Sequence, residues 1–206
     1  MQEERLIVFA DYVSPLCCLA DHVVRRFRQK RGVRVDGAAF ELRPPGTPLA
    51  DPGAPGRIDE WQRHVAPLAG ELGVELKPPA VATRTRKAHE AAAYARSVGR
   101  FDAMHGAILG AYWEAGADIG RIDVLVEIGR GIGLDATGLR VALDIDQWTE
   151  RVEADEAWAA QLGVQGVPAY VRAATGADGT TVAADIGTGL RQLDELEAWW
   201  ERKHDI

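Results

Sequence analysis

The chain has 206 residues, of which 47% are hydrophobic and 27% are charged, a balance that is typical of soluble globular proteins and excludes disordered and fibrous classes. The net charge of -7 argues against nucleic-acid partners and against docking on acidic lipid surfaces. No run approaches the ~20 apolar residues of a membrane span, and the acidic start Met1–Arg5 is unlike a signal peptide. We therefore expect a cytoplasmic protein with no nucleic-acid or membrane partner.

The beginning of the chain is typical of a β-α-β unit. Residues 6–10 form a continuous apolar run, as in a strand that is buried on both faces. Ser14 followed by Pro15 predicts the start of a helix, which is expected to end at Gly32. A second strand is predicted over residues 33–42. Two strands joined by one helix at this spacing should be parallel.

The middle of the chain has helical periodicity after a loop rich in proline and glycine at residues 44–56. The predicted helices are Ile58–Leu72, Arg84–Val98, Phe101–Ala115, Arg121–Gly131, Asp135–Leu143 and Ile145–Leu162.

The end of the chain returns to strands. Strands are predicted over Val167–Val171 and Thr180–Ile186, with a turn at Gly176–Gly179 between them, and a last helix over Leu190–Lys203. The pattern predicts one α/β sheet domain, residues 1–47 and 155–206, interrupted by an all-α helical insertion, residues 48–154.

Two local features could carry chemistry. Ser14 lies where backbone N–H groups and the helix dipole favour negative charge, so a hydroxyl or thiolate there is electrostatically assisted; a plain helix cap is the simpler interpretation. Pro168 leads directly into an apolar strand, which favours a cis bond after Val167, with a trans strand-starting proline as the alternative.

The adjacent cysteines Cys17 and Cys18 fit a reducing compartment, because a disulfide between sequence neighbours is strained. Cys18 and His22 have the spacing of a metal-ligand pair, but no third or fourth ligand is apparent, so no metal is expected.

The segment Ser14-Pro15-Leu16-Cys17 resembles the Cys-Pro-x-Cys site of DsbA-like thioredoxin-fold proteins, and Gly166-Val167-Pro168 looks like the cis-proline loop of that superfamily. Similarity to the FrnE-like branch extends over Phe40–Pro44, Thr83–Tyr94 and Gly116–Ile119. The resemblance implies an α/β thioredoxin-like fold, in which the large all-α helical insertion separates the βαβ and ββα halves. It also implies an enzyme with thiol-linked chemistry.

The chain departs from that pattern at the first position, where Ser14 replaces a cysteine and no dithiol pair exists. A serine there is similar to kappa-class glutathione transferases and 2-hydroxychromene-2-carboxylate isomerases. That similarity implies glutathione or a related thiol as cofactor. Its thiolate would be held by Ser14 and its backbone by Val167 and Pro168. The expected function is isomerase or transferase chemistry on a small organic substrate.

Further site residues follow from the same resemblance. Pro15 belongs to the motif, Tyr12 is expected to form a substrate wall, and His89 is a candidate for thiol or substrate binding, although a half-exposed helical histidine is the simpler interpretation. Two alternatives remain open. One is a single-cysteine oxidoreductase or redox sensor that acts through Cys17, and the other is a non-catalytic protein that binds peptides or thiols.

A homodimer is a further possibility suggested by Trp199 and Trp200 in the last predicted helix. One of the two rings is expected to pack on the sheet, which leaves the other exposed or at a dimer contact.

Overall fold

A mixed sheet and a block of helices make up the described residues, 4–175 and 181–202, of the computed structural model. The predicted turn at 176–179, Thr180 and Lys203 lie outside the described residues. The elements in chain order are β1 (Glu4–Ala10), α1 (Pro15–Arg31), β2 (Arg34–Ala39), α2 (Arg57–His64), α3 (Ala66–Leu72), α4 (Arg86–Ser97), α5 (Phe101–Trp113), α6 (Ile122–Gly131), α7 (Ala136–Asp144), α8 (Thr149–Gln161), β3 (Ala169–Thr175), β4 (Thr181–Thr188) and α9 (Leu193–Glu201).

The four described strands are arranged in the order β2-β1-β3-β4. β1 and β2 are parallel, with Leu6 opposite Val35, as the β-α-β pattern predicts. β1 and β3 are antiparallel, with Phe9 opposite Ala169, and β4 pairs antiparallel to β3. The two ends of the chain therefore build one sheet, and helices α2–α8 come between them in sequence. Within the described residues, no helix has the length and apolar character needed to cross a membrane.

Helices α1 and α9 cover one face of the sheet. The buried face of α1 includes Leu19, Val23 and Phe27, and the helix ends at Gly32, whose φ of 64° is the left-handed conformation that glycine adopts without a steric penalty. Trp199 and Trp200 of α9 are both buried in the same core. The prediction that one of the two tryptophans is exposed is therefore wrong. The exposed ring that suggested a homodimer is not found in the structure.

Two predicted helix boundaries are wrong for local backbone reasons. The helix predicted over Ile58–Leu72 is divided at Val65, because Pro67 lies in the first turn of α3 and has no N–H to donate. The helix predicted from Ile145 begins only at Thr149, since Asp146 adopts a left-handed φ of 56°. The proposed domain boundary at residue 155 lies inside α8, which therefore belongs to both predicted units.

The end of β2 is attached to the helical block by carboxylates. Ala39 N–H donates to Asp155 at 3.1 Å, and Glu41 N–H donates to Glu156 at 3.2 Å. Arg86 of α4 forms an ion pair of 2.6 Å with Glu41, whose side chain is fully buried. The N–H of Phe40 still bonds to the carbonyl of Ala10, but the N–H groups of Glu41 and Leu42 bond to the side chains of Glu156 and Asp11, so β2 does not continue to residue 42 as predicted.

Replacing Gly37 of β2 by alanine is expected to lower the free energy of unfolding by about 1–3 kcal/mol, because overpacking forces neighbouring groups to shift. An added Cβ would lie 2.6 Å from Cζ of Phe101. The measurement is urea unfolding, with Gly70→Ala as the matched control. Gly70 lies in α3 with open space around an added Cβ, so there alanine is expected to stabilise by about 0.5–1 kcal/mol. Equal effects at the two positions would contradict the close approach of Phe101.

Candidate active site

The turn between β1 and α1 carries Ser14, which is 5% exposed and is the N-cap of α1. Its hydroxyl accepts a hydrogen bond from the N–H of Cys17 at 3.2 Å, and its own N–H donates to the carbonyl of Asp11 at 3.1 Å. The simple capping role is therefore present. Because the hydroxyl accepts in this bond, its hydrogen is left to donate elsewhere.

The two cysteines next to this turn are free thiols, and both are buried. Burial raises the pKa of the Cys17 thiol to about 12, against a smaller lowering effect of the hydrogen bond with the Ser14 side chain. Burial likewise raises the pKa of Cys18 to about 12, with the charge of Asp21 acting in the same direction. Neither thiol is a ready nucleophile at neutral pH, since the thiolate is the reactive form.

The loop before β3 lies at the same edge of the sheet as the Ser14 turn. Since Phe9 pairs with Ala169, continuing this antiparallel register places Pro168 beside Ala10 and Val167 beside Asp11. The Val167–Pro168 peptide bond is cis, as the sequence predicts. Val167 is half-buried, and its backbone groups bond to no backbone partner among the described residues. The site residue Pro15 is half-buried at the first position of α1.

Tyr12 points from the turn into the helical block and is 3% exposed. Its hydroxyl lies 3.1 Å from Nδ1 of His105, and its carbonyl accepts a hydrogen bond from the Trp113 indole at 3.0 Å. Burial raises the pKa of the Tyr12 phenol well above its usual range. The side chain is therefore neutral and held in place.

His89 is 7% exposed on α4, so the half-exposed histidine of the simpler interpretation is wrong. Its Nε2 lies 3.6 Å from Oδ1 of Asp11, and neither atom has a hydrogen-bond partner within the described part of the chain. The other oxygen of Asp11 accepts from the N–H of Leu42 at 2.7 Å. Asp11 is a site residue that no sequence pattern described above singled out. The sequence feature that could have identified Asp11 is its position, because it is a charged residue between a buried apolar strand and the start of a helix.

A cavity of about 910 Å³ lies between the β1-α1-β2 unit and helices α4, α5 and α8. It reaches the turn at Asp11, Tyr12 and Cys17, and His89 lies in its wall. Its volume falls within the ~300–1,000 Å³ of small-molecule sites. Across residues 4–175 and 181–202, no group of three or more His, Cys, Asp or Glu is placed to hold a metal ion.

The fold is that of a thioredoxin-like α/β protein. It has a mixed sheet built from βαβ and ββα halves, a helix that starts at the end of β1, and a helical insertion between the halves. Residues 5–198 match the family model of the DSBA-like thioredoxin domain, and the chain belongs to this family. It is also 30% identical to the uncharacterized protein YwbO of Bacillus subtilis (strain 168) over 140 residues, which cover 66% of this chain and 70% of YwbO.

Solved structures share this fold. A probable DsbA oxidoreductase from Streptomyces coelicolor is 23% identical, with a TM-score of 0.75 over 97% of this chain and 92% of the other. A 2-hydroxychromene-2-carboxylate isomerase is 18% identical, with a TM-score of 0.73 over 95% and 93%. The cytosolic disulfide reductase DsbM from Pseudomonas aeruginosa, solved with GSH, is 21% identical, with a TM-score of 0.68 over 96% and 97%. At these identities the likeness establishes the fold, and both oxidoreductases and an isomerase share it.

Proposed function

We propose that this protein binds glutathione or a related small thiol and uses the bound thiolate for isomerase or transferase chemistry in the cytoplasm. The observation that carries the proposal is Ser14, which stands at the N-cap of α1 with a hydroxyl hydrogen left to donate. The structure of DsbM with GSH supports the choice of thiol, because that protein shares the fold.

Ser14 suits a thiolate that belongs to a ligand. The start of α1 carries the positive end of the helix dipole, and its first turn contains no acidic residue. A thiolate at this end would accept the Ser14 O–H, and a hydrogen bond to a charged group contributes roughly 1.5–3 kcal/mol. Serine itself has no redox chemistry, so the reacting sulfur must come from the ligand. The backbone of Val167, at the same sheet edge, is available to pair with an extended tripeptide.

The burial of Cys17 weighs against the oxidoreductase or sensor alternative. A thiol with a pKa of about 12 is a poor attacking group, because very little of it is thiolate at neutral pH. We therefore assign Cys17 a packing role beneath Ser14.

Removing the Ser14 hydroxyl is expected to raise the pKa of the bound glutathione thiol by about one to two units, from the loss of a charge-assisted hydrogen bond at 1.36 kcal/mol per unit. The measurement is the ultraviolet thiolate absorbance of bound glutathione against pH. Ser14→Gly is the best variant, because glycine caps a helix within a few tenths of a kcal/mol of serine, whereas Ser14→Ala also costs about 1 kcal/mol of stability.

Two controls separate the remaining interpretations. Ser14→Thr keeps a hydroxyl and should keep the wild-type titration curve, and Cys17→Ala should leave the curve unchanged. If wild type and Ser14→Gly titrate identically, Ser14 is a cap only. If no glutathione binds at millimolar concentration, the proposal is wrong and the non-catalytic binding protein replaces it.

A further inference from the structure

Tyr12 carries a buried hydroxyl for which the proposed thiol chemistry has not yet assigned a role. The residue lies two positions before Ser14 in the same turn, and it lines the cavity. The Trp113 indole donates to its carbonyl at 3.0 Å, and its ring contacts His89 at 4.9 Å and His105 at 5.3 Å between centroids. These contacts fix the phenol in the wall of the cavity, close to the start of α1.

The Tyr12 hydroxyl is the first member of a hydrogen-bonding relay that ends at a carboxylate. Its oxygen lies 3.1 Å from Nδ1 of His105, and Nε2 of His105 lies 3.4 Å from Oδ1 of Asp21. Asp21 also accepts a hydrogen bond from Nε of Arg25 at 2.7 Å. Burial acts to raise the pKa of Asp21, but the contacts with His105 and Arg25 lower it overall. Asp21 is therefore an ionised acceptor at neutral pH.

The donors and acceptors of the relay decide where its hydrogens lie. A carboxylate can only accept, so Nε2 of His105 carries a hydrogen towards Asp21. In the neutral imidazole, Nδ1 is then the acceptor and takes the hydrogen of the Tyr12 hydroxyl. In the imidazolium, Nδ1 carries a hydrogen as well and donates it to the Tyr12 oxygen. The Tyr12 hydroxyl hydrogen is then available to a group in the cavity, because the described residues offer this hydroxyl no partner other than His105.

The phenol keeps its proton throughout the neutral pH range. Burial raises the pKa of Tyr12 well above its usual range, and the charge of Arg96 acts against this effect. The carboxylates of Asp21 and Asp11 raise the pKa further. A buried phenolate would be costly, so Tyr12 can give up its proton only while another is supplied. His105, whose Nδ1 lies 3.1 Å from the phenol oxygen, is placed to supply it.

We propose that Tyr12 is the proton donor of the thiol reaction, and that His105 and Asp21 position it and restore its proton. This role rests on the proposed function. The glutathione thiol loses a proton on becoming a thiolate, and His105 takes one up to become an imidazolium that Asp21 stabilises. When the thiolate bonds to the substrate, the atom that receives the displaced electron pair takes the Tyr12 proton, and the Nδ1 proton of His105 passes to Tyr12. One proton leaves the thiol and one reaches the product, so the step is balanced.

Two glutathione reactions that differ only in their need for a proton test this role. With 1,2-epoxybutane, a C–S bond forms as a C–O bond breaks, and the resulting alkoxide needs a proton. With 1-iodobutane, the same C–S bond forms and iodide leaves without one. We expect wild type to accelerate both reactions, and Tyr12→Phe to lower kcat for the epoxide about 100-fold, the scale of general acid catalysis. The kcat for 1-iodobutane and KM for both probes should remain unchanged.

Variants of the other two relay residues should act on the same reaction. His105→Asn should lower kcat for the epoxide about tenfold, the scale of one lost hydrogen bond to a charged group, and spare 1-iodobutane. Asp21→Asn should act in the same direction. Tyr94→Phe, in a separate pocket, and His22→Asn, on the exposed face of α1, are the matched controls and should react as wild type does. If Tyr12→Phe does not fold, His105→Asn still decides.

Nitrogen-15 NMR of the histidine rings tests the relay without any reaction. In the neutral state, His105 should carry its hydrogen on Nε2, because Asp21 accepts it there. Asp21→Asn should move part of this hydrogen to Nδ1, and the spectrum of His105→Asn identifies the signals of the ring. A neutral wild-type His105 with its hydrogen on Nδ1 would overturn the relay.

The kinetic outcomes separate this role from the thiol chemistry. Acceleration of 1-iodobutane alone by wild type, or an equal effect of Tyr12→Phe on the two reactions, would overturn the proton-donor role and leave the thiol chemistry standing. Acceleration of neither reaction by wild type would contradict the thiol chemistry, and the proton-donor role with it. A loss confined to the epoxide in Tyr12→Phe and His105→Asn would support both.

Discussion

Replacing Arg86 by methionine is expected to lower the free energy of unfolding by about 3–5 kcal/mol, because it leaves the buried charge of Glu41 without its partner. The Glu41 side chain is fully buried, and the Arg86 guanidinium lies 2.6 Å from it. The same guanidinium also pairs with Glu153 and Glu156 at 3.3 and 3.2 Å, so its removal leaves three carboxylates close together. Urea unfolding at constant pH measures the loss.

The loss from Arg86→Met should also depend on pH. Burial and the neighbouring Glu41 raise the pKa of Glu156. A carboxyl whose pKa is raised by folding binds protons more tightly when folded, so its unfavourable effect is absent below the unfolded pKa, grows as pH rises above that value, and is complete above the folded pKa. The deficit of Arg86→Met should therefore be smaller near pH 5 than near pH 8.

Two controls identify the source of this loss. In a Glu41→Gln background, Arg86→Met should cost much less, since no buried charge remains at position 41. Arg130→Met removes an exposed arginine that is paired with Glu127, and should change stability by no more than about 0.5 kcal/mol. A similar loss in Arg86→Met with and without Glu41 would mean that the arginine acts by packing alone.

Replacing Ser14 by cysteine is expected to create dithiol reductase activity that the wild-type protein lacks. The new thiol stands at the N-cap of α1, where the N–H of Cys17 and the helix dipole stabilise a thiolate. At helix starts, cysteine pKa values fall to ~3.5–7.5, so the thiolate is abundant near neutral pH. Cys17, three residues on, supplies the resolving thiol. The measurement is turbidimetric reduction of insulin with dithiothreitol as the terminal reductant.

Removal of the resolving thiol is the matched control. Ser14→Cys combined with Cys17→Ala should form a mixed disulfide with substrate but not turn over, because no second thiol releases the product. Ser14→Cys combined with Cys18→Ala should remain active, since Cys18 is not the resolving position. Wild-type activity equal to that of Ser14→Cys would show that Cys17 or Cys18 acts alone and would contradict the role assigned to Ser14.

The sequence determined the local features of this protein. The apolar run of β1, the Ser14 cap with Pro15 behind it and the glycine at position 32 each depend on a few neighbouring residues. The parallel pairing of β1 and β2 was predictable for the same reason, since a single helix joins them. The proposal that Ser14 is the centre of the site came from such a local motif. Two helix predictions failed where a single residue, Pro67 or Asp146, interrupts the helical pattern.

Tertiary structure alone decided what lies around Ser14. Asp11 and His89 are separated by most of the first half of the chain and meet only because α4 packs against the end of β1. The burial of Cys17, which raises its thiol pKa, also depends on the folded chain around it. The ion-pair partners of Arg86 likewise follow from which carboxylates the folded chain brings near. Charge and solvation depend on neighbours in space, and a sequence pattern records only neighbours along the chain.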